Sequence, residues 1–319
     1  MSDARVTMDK SSKIYVAGHT GMVGSAIVRK LRSAGYDNLV LRSRAELDLT
    51  EQASVRSFLQ SERPDFVVVA AARVGGIHAN NTYRAEFIYQ NLMIEANLIH
   101  GSRLAGVHRL MFLGSSCIYP RDCPQPIREE YLLTGPLEAT NEPYGIAKIA
   151  GIKLCENYNR QYGTRYFSVM PTNLYGPNDN YDLANSHVLP ALIRKAHEAK
   201  IRNDAEFLVW GTGSPKREFM HVDDLADACV FMMERDVGEG LFNIGSGQEV
   251  TIKELALIVT QEVGFQGKLV FDASKPDGTP RKVMDIGKMQ ALGWQAKIAL
   301  RDGVRATYAD FLSGRARGI

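Results

Sequence analysis

Tyr144 and Lys148 stand four residues apart in the string YGIAK. That spacing puts both side chains on one face of a helix. A free tyrosine ionises at about pH 10, too high for easy proton exchange at neutral pH, and a neighbouring ammonium favours the phenolate. Such a pair can pass a proton to or from an alcohol or carbonyl oxygen. The spacing alone is common on helix surfaces. It gains specificity from Ser115 and Ser116, which sit in GSSCIYP (114–120) just after the apolar run RLMFL. Cys117 follows the serines. By position alone it reads more naturally as a small packing residue than as a reactive thiol. His187, in NSHVLP, reads by itself as a helix-entry or surface residue.

A second string, GHTGMVG (18–24), follows the apolar KIYVAG and opens a helical pattern. Gly18, Gly21 and Gly24 permit a tight turn and close approach of the backbone to a pyrophosphate, with His19, Thr20, Met22 and Val23 between them. The free N–H groups of the following helix then face the phosphates. This context predicts dinucleotide binding. Where an NAD site carries a carboxylate at the end of its second strand, LRSRAE offers Arg42 and Arg44 and no acid before Glu46. Arginine suits the 2′-phosphate of NADP. Two solvated loop arginines are the plainer alternative. Asp48 either meets the adenine or caps the next helix.

These residues need a scaffold, and the hydrophobic pattern supplies one. Strand-like runs at 13–18, 38–43, 65–72, 109–116 and 165–171 alternate with helical patterns at 24–35, 51–62, 84–106 and 145–163. Strands apolar on both faces and separated by helices predict a parallel sheet covered on both sides, the doubly wound α/β class. After Pro171 the chain turns polar, and 172–187 reads as a loop over a site. There follow a helix (188–200), a strand at 206–211, a loop at 212–221, a helix (223–235) and a strand at 241–245. A helix from Thr251 has Glu254 placed for a capping box. The reading is a dinucleotide-binding domain over 1–174, to which segments about 219–246 return, and a smaller α/β substrate domain over 175–319. The tail SGRARGI reads as frayed.

The 319 residues suffice for a large core, and 45% apolar with 23% charged residues is ordinary for a globular protein. The net charge of +2 points to neither nucleic acid nor an acidic membrane as a bulk partner. No apolar run has the length of a membrane span, and the first twelve residues lack the apolar core of a secretory leader. Four cysteines without a CxxC pairing argue against a zinc site or redox dithiol. Free thiols fit a cytoplasmic protein.

Taken together, GHTGMVG, LGSSCIYP and YGIAK resemble the extended short-chain dehydrogenase/reductase family. The resemblance covers nearly the whole chain and continues in PTNLYGP, WGTGSPKREFMHVDDLA, NIGSG and DASKPDGTPRK, which look like its sugar-nucleotide branch. The longer strings AARVGGIHANN, FIYQN, TNEPYGIAKIAGIKLCE and ANSHVLPALI are similar to the GDP-sugar epimerase–reductases within it. The resemblance implies a Rossmann fold, NADP(H) as cofactor and a GDP-4-keto-6-deoxymannose substrate. That sugar would be epimerised at C3 and C5 and reduced at C4. Protons at both carbons are α to the ketone, so removing either gives an enolate that needs a donor at oxygen.

By the same resemblance, Ser115 and Tyr144 serve the oxygen, and Lys148 binds ribose and tunes Tyr144. Cys117 and His187 form the acid/base pair, with His187 also near the cofactor. Leu113, Gly114 and Ser116 join the cofactor wall, while Pro171, Thr172, Asn173 and Leu174 wrap the nicotinamide. Lys195, Trp210, Arg217 and Asp277 meet the GDP-sugar, and Lys282 is a further candidate. The chain departs from some relatives at Thr20 and Lys195, where they carry arginine, so Arg44 takes more of the 2′-phosphate. Helices 84–105 and 145–160 would form a four-helix homodimer interface, unless helices of the same chain cover them. Two enzyme alternatives are an NAD-dependent 4-epimerase and a 4,6-dehydratase. The first leaves Cys117 and His187 idle. The second needs an Asp–Glu pair where Cys117 and Ile118 stand. A non-catalytic NADP-binding protein is the third alternative, and intact Ser115, Tyr144 and Lys148 speak against it.

Overall fold

The computed structural model describes residues 8–183, 185–275, 277–314, 317 and 318. Residues 1–7 lie outside these. Strand β1 (Ile14–Ala17) leads into α1 (Met22–Ser33), and β2 (Leu39–Val40) into α2 (Gln52–Glu62). β3 (Phe66–Val69) is followed by the short α3 (Ile77–Thr82) and the long α4 (Arg84–Leu104). β4 (Arg109–Leu113) precedes α5 (Glu142–Tyr162), and β5 (Arg165–Pro171) runs almost directly into β6 (Asn173–Tyr175). Then come α6 (Val188–Arg202), β7 (Glu206–Trp210), β8 (Lys216–His221), α7 (Val222–Glu234) and β9 (Gly240–Ile244). The chain closes with β10 (Glu249–Thr251), α8 (Ile252–Val263), β11 (Lys268–Asp272), β12 (Arg281–Lys282), α9 (Gly287–Ala291) and α10 (Leu300–Leu312).

Six strands form a wholly parallel sheet in the order β2-β1-β3-β4-β5-β9. Successive side chains point to opposite faces, and both faces are dry. Ile14, Val16, Phe66, Val68 and Met111 enter one core with residues of α1 and α7. Tyr15, Ala17, Val67, Val69, Leu110 and Phe112 enter the other, against Leu98 and Ile99 of α4 and Ile149 and Ile152 of α5. This is why the strand sequences are apolar throughout. β2 lies on one side of β1 and β3 on the other, so the loops leaving β1 and β3 meet where the strand order reverses. They meet closely. Gly18 has φ +84°, and a Cβ there would lie 2.6 Å from the Ala71 nitrogen.

A third core gathers α6, α8 and α10 around Phe207, Val209 and Tyr175. The capping box of α8 forms as its sequence predicts. Thr251 Oγ1 accepts from the Glu254 N–H at 3.1 Å, and Glu254 accepts from the Thr251 N–H at 2.7 Å.

Four expectations are corrected. The run 38–43 yields only the two-residue β2. The polar stretches read as loops contain β6 and β8, which pair with each other, while β8 also pairs β10 and β12. Polar sequence becomes strand there because partners on both sides satisfy its backbone and Glu218 is buried with partners of its own. The tail is pinned where it is described. Arg317 donates to the Asn178 carbonyl, and the Gly318 carbonyl accepts from Arg194 at 2.7 Å. Arg315, Ala316 and Ile319 of that tail lie outside the described residues. The short helices α3 and α9 have no counterpart in the sequence reading.

Thr251→Ala should lower the unfolding free energy by about 1 kcal/mol in urea titrations, because it removes the hydroxyl that accepts from the Glu254 N–H, while the bond from the residue 251 N–H to the Glu254 carboxylate remains.

Candidate active site

A single cavity of about 1740 Å³ opens where the strand order reverses and extends to β8 and β12. Ordinary ligand sites measure roughly 300–1,000 Å³, so this one has room for a dinucleotide and a second nucleotide. Its inner half is built on the glycine loop. A Cβ at Gly18 would strike Ala71, and one at Gly24 would strike the Gly18 carbonyl, so the turn itself needs both glycines. Gly21 is different. Its φ is −77°, and only the Gly18 oxygen approaches its Cβ position, at 3.4 Å. Nothing in the chain demands glycine there. The open space above it is the room a pyrophosphate would take. α1 starts at this point with no side-chain cap and no acidic residue in its first turn, which leaves its N–H groups for an anion. The residues present therefore fit a dinucleotide.

The two arginines after β2 separate. Arg42 is committed, with Nη2 2.9 Å from Glu62 Oε1 and Nη1 donating to the Leu41 carbonyl. Arg44 has a side chain 78% exposed and only a loose pairing with Asp48 at 3.9 Å. It is the freer partner for a phosphate. Asp48 lines the cavity but spends one oxygen on the N–H and hydroxyl of Thr50. Those bonds, the backbone N–H first, hold its carboxyl below the usual range. Thr20, Met22 and Val23 line the cavity. His19 does not, and its Nδ1 is buried with no hydrogen-bond partner among the described residues.

The proton-transfer residues converge in the middle of the cavity. β4 ends at Leu113, and the Ser115 hydroxyl accepts from the Cys117 N–H at 3.3 Å, capping a single helical turn over Ser116–Ile118. α5 approaches this turn closely because residue 145 has no side chain; a Cβ there would lie 2.9 Å from the Cys117 carbonyl. The approach brings Tyr144 into hydrogen-bonding reach of Ser115. Burial pushes the Tyr144 phenol well above the usual range, as do the nearby Cys117 and Glu95, while the Ser115 hydrogen bond opposes them. Ser115, Ser116, Cys117, Tyr144 and Lys148 all line the cavity, with Leu113, Gly114 and 171–174 beside them. The side chains of Thr172 and Asn173 donate to the Glu218 carbonyl at 3.3 and 2.8 Å, which fixes this strand end.

His187 stands at the N-cap position of α6, without a side-chain cap bond, and lines the same cavity. The crowding of protein around it, and secondarily the Lys282 charge, hold its imidazole below the usual pKa although the side chain stays open to the cavity. Lys282 and Arg217 are register partners on β12 and β8, so two cations stand side by side on the cavity wall. Trp210 lies at the rim, 64% exposed, with the ammonium groups of Lys195 and Lys275 at 5.0 and 5.6 Å from its ring. Lys195 itself does not line the cavity. Asp277 does, but both its oxygens accept from Thr212, so it shapes the loop after β7.

A family model described as the NAD dependent epimerase/dehydratase family matches residues 14–245. The chain belongs to that family. It is 61% identical over 311 residues to GDP-L-fucose synthase 1 of Arabidopsis thaliana, covering 98% of this chain and 96% of the relative. It is 54% identical over 314 residues to GDP-L-fucose synthase of Escherichia coli (strain K12), covering 96% and 98%. Its fold matches a crystal structure of a GDP-L-fucose synthetase from Naegleria fowleri bound to NADP with a TM-score of 0.89, at 28% identity and 98% and 96% coverage.

Two residues of this epimerase/dehydratase site escape sequence reasoning. Glu95 of α4 lies under Lys148, 3.2 Å from its ammonium, and both side chains are almost wholly buried. Asp179 lines the cavity, buried, with Oδ2 unpartnered among the described residues and a carboxyl that burial pushes up to about 7. Glu95 occupies a helix of weak amphipathicity and Asp179 a polar loop, so neither carries a local signal. Among the described residues no helix is long and apolar enough to cross a membrane, and no acid, histidine or thiol cluster is placed to hold a metal.

Gly145→Ala should destabilise the enzyme by about 1–3 kcal/mol in chemical denaturation, since displacing α5 from the Cys117 turn outweighs the roughly 1 kcal/mol that alanine gains in a helix.

Proposed function

We propose that this chain converts GDP-4-keto-6-deoxy-D-mannose to GDP-L-fucose, epimerising C3 and C5 and then reducing the C4 ketone with NADPH. The observation that carries the reading is the meeting of two proton-transfer sets in one cavity: Ser115, Tyr144 and Lys148 line it together with Cys117 and His187. A plain reductase needs only the first set.

Bound NADPH supplies a hydride for the ketone carbon. Everything else falls to the chain. Ser115 and Tyr144 donate to the C4 oxygen, which gathers charge in both stages: as an enolate during epimerisation and as an alkoxide during reduction. The raised Tyr144 phenol is protonated at neutral pH, as a donor must be. Cys117 and His187 remove and return the protons α to the ketone, from the two sides that inversion requires. A lowered imidazole pKa keeps His187 neutral and able to accept a proton near pH 7. Arg217 and Lys282 hold the diphosphate, Trp210 covers the outer part of the nucleotide sugar, and Lys195 and Lys275 act through its ring. Arg44 takes the 2′-phosphate. Residues 1–174, with α7 and β9, form the cofactor domain, and most of the remainder forms the sugar domain.

The working form is a homodimer in the cytoplasm. α4 and α5 pack on each other and still expose Tyr83, Tyr89, Leu104, Ile146 and Tyr162 along the pair, an apolar surface suited to a second copy.

NADPH should be consumed in equal amount to the keto sugar; a purified protein that holds NAD tightly and never oxidises NADPH would be an epimerase of the plain kind. Cys117→Ser should slow solvent-deuterium incorporation at C3 and C5 by about 10²–10⁴-fold while NADPH binding persists. Wild-type exchange in that variant would remove Cys117 from the acid/base pair. Arg44→Ala should weaken NADPH about tenfold and leave NADH unchanged, as competition binding would show, whereas Arg42→Ala should alter the ratio less.

A further inference from the structure

Lys148 is a cation with almost no access to water. Its side chain is 2% exposed, and its ammonium lies 4.6 Å from the centre of the Phe112 ring and 5.8 Å from that of Tyr144. Among the described residues the one carboxylate at hand is Glu95, itself 1% exposed. α5 is shaped to admit it. Gly151 stands in mid-helix, where glycine is unfavourable by roughly 1 kcal/mol. A Cβ there would lie 2.6 Å from Glu95 Oε2 and would strike the Phe112 ring. The titratable groups that face Glu95 all come from α5: Lys148, Tyr144 and Cys155, the last hydrogen-bonded to Ser168 of β5. A buried ion pair is weak evidence for stability, since packed apolar side chains serve as well or better. Here it sits directly below the residue that must hold a proton.

We propose that Glu95 is a positioning residue that acts through Lys148, anchoring the ammonium and offsetting its pull on Tyr144 so that the phenol stays protonated and the site favours reduction over alcohol oxidation. The inference rests on the reading of Tyr144 as the donor to the ketone. With Glu95 ionised, the pair beneath Tyr144 carries no net charge. With Glu95 neutral, it carries a full positive charge that stabilises the phenolate. Burial pushes the Glu95 carboxyl up, opposed by Lys148, so the neutral form gains as pH falls and the ionised form as pH rises. The restraint on Tyr144 is therefore in force on the alkaline side, where the phenol would otherwise be lost.

Glu95→Gln keeps the shape and removes the charge. In the pH profile of kcat for ketone reduction, its alkaline limb should move about one unit to lower pH, with KM for the GDP-sugar unchanged. A second reading needs no turnover. Dissociation constants for NADPH and NADP+ are measured by titration calorimetry on the full-length protein. With Tyr144 as the donor to the ketone, the nicotinamide lies beside Tyr144 and Lys148, so losing the negative charge beneath them should weaken the cationic form alone, raising the NADP+/NADPH ratio of constants about three- to tenfold. Mere loosening of the fold would weaken both forms alike. Should the Gln variant not fold, Glu95→Asp, which withdraws the carboxylate by one methylene, should raise the same ratio about twofold. An unchanged ratio in the folded variant overturns the proposal. A shifted ratio in a protein that never reduces the keto sugar upholds the Glu95–Lys148 coupling and overturns the proposed reaction instead.

Discussion

A lysine sealed in the protein interior is the demand around which this site is arranged. Burying an ammonium is expensive unless an anion and polarisable surfaces surround it. Glu95 supplies the anion, and the rings of Phe112 and Tyr144 supply the surfaces. Meeting that demand requires α4, α5 and β4 to come together at one point, and the absence of side chains at Gly145 and Gly151 lets them. Once α5 is seated, Tyr144 has no choice but to face Ser115 and Cys117. The geometry of proton transfer thus follows from the seating of one charge.

The cavity divides its labour by the kind of charge each end presents. At the glycine loop the positive potential comes from backbone: free N–H groups at the start of α1, with Arg44 reaching in from beside β2. At the far end it comes from side chains, Arg217 and Lys282, paired across two short strands. Backbone donors cannot drift and suit a cofactor that binds the same way in every turnover. Side-chain cations can adapt, as the proposed reaction asks of groups that hold a sugar while its stereochemistry changes.

Much of this was legible in the sequence because the signals were local. The parallel sheet follows from strands apolar on both faces, the cap of α8 from Thr251 and Glu254, and the glycine loop from its place between a strand and a helix. Tyr144 and Lys148 are legible from helical spacing. What stayed hidden was set by distant partners. β8 has a polar sequence and becomes a strand only because β6, β10 and β12 flank it. Arg42 and Arg44 look alike until Glu62 claims one of them. Glu95 reads as one of many surface acids until the fold turns it inward onto a lysine more than fifty residues away. Lys282 looks like a minor loop charge until strand register sets it beside Arg217.

Glu218 ties these ends into one piece. Its carbonyl receives the side chains of Thr172 and Asn173 from the cofactor side, and its carboxylate receives the N–H groups of Met284 and Gly247 from the sugar side. Arg217 is its neighbour in the chain. The skeleton therefore works as a gauge block: hydrogen bonds through one residue hold the strand end at Thr172 and Asn173 and the wall carrying Arg217 and Lys282 at a fixed separation. Under the proposed reaction, that fixed separation would let the frame itself sort sugars by length, with no single group having to recognise them.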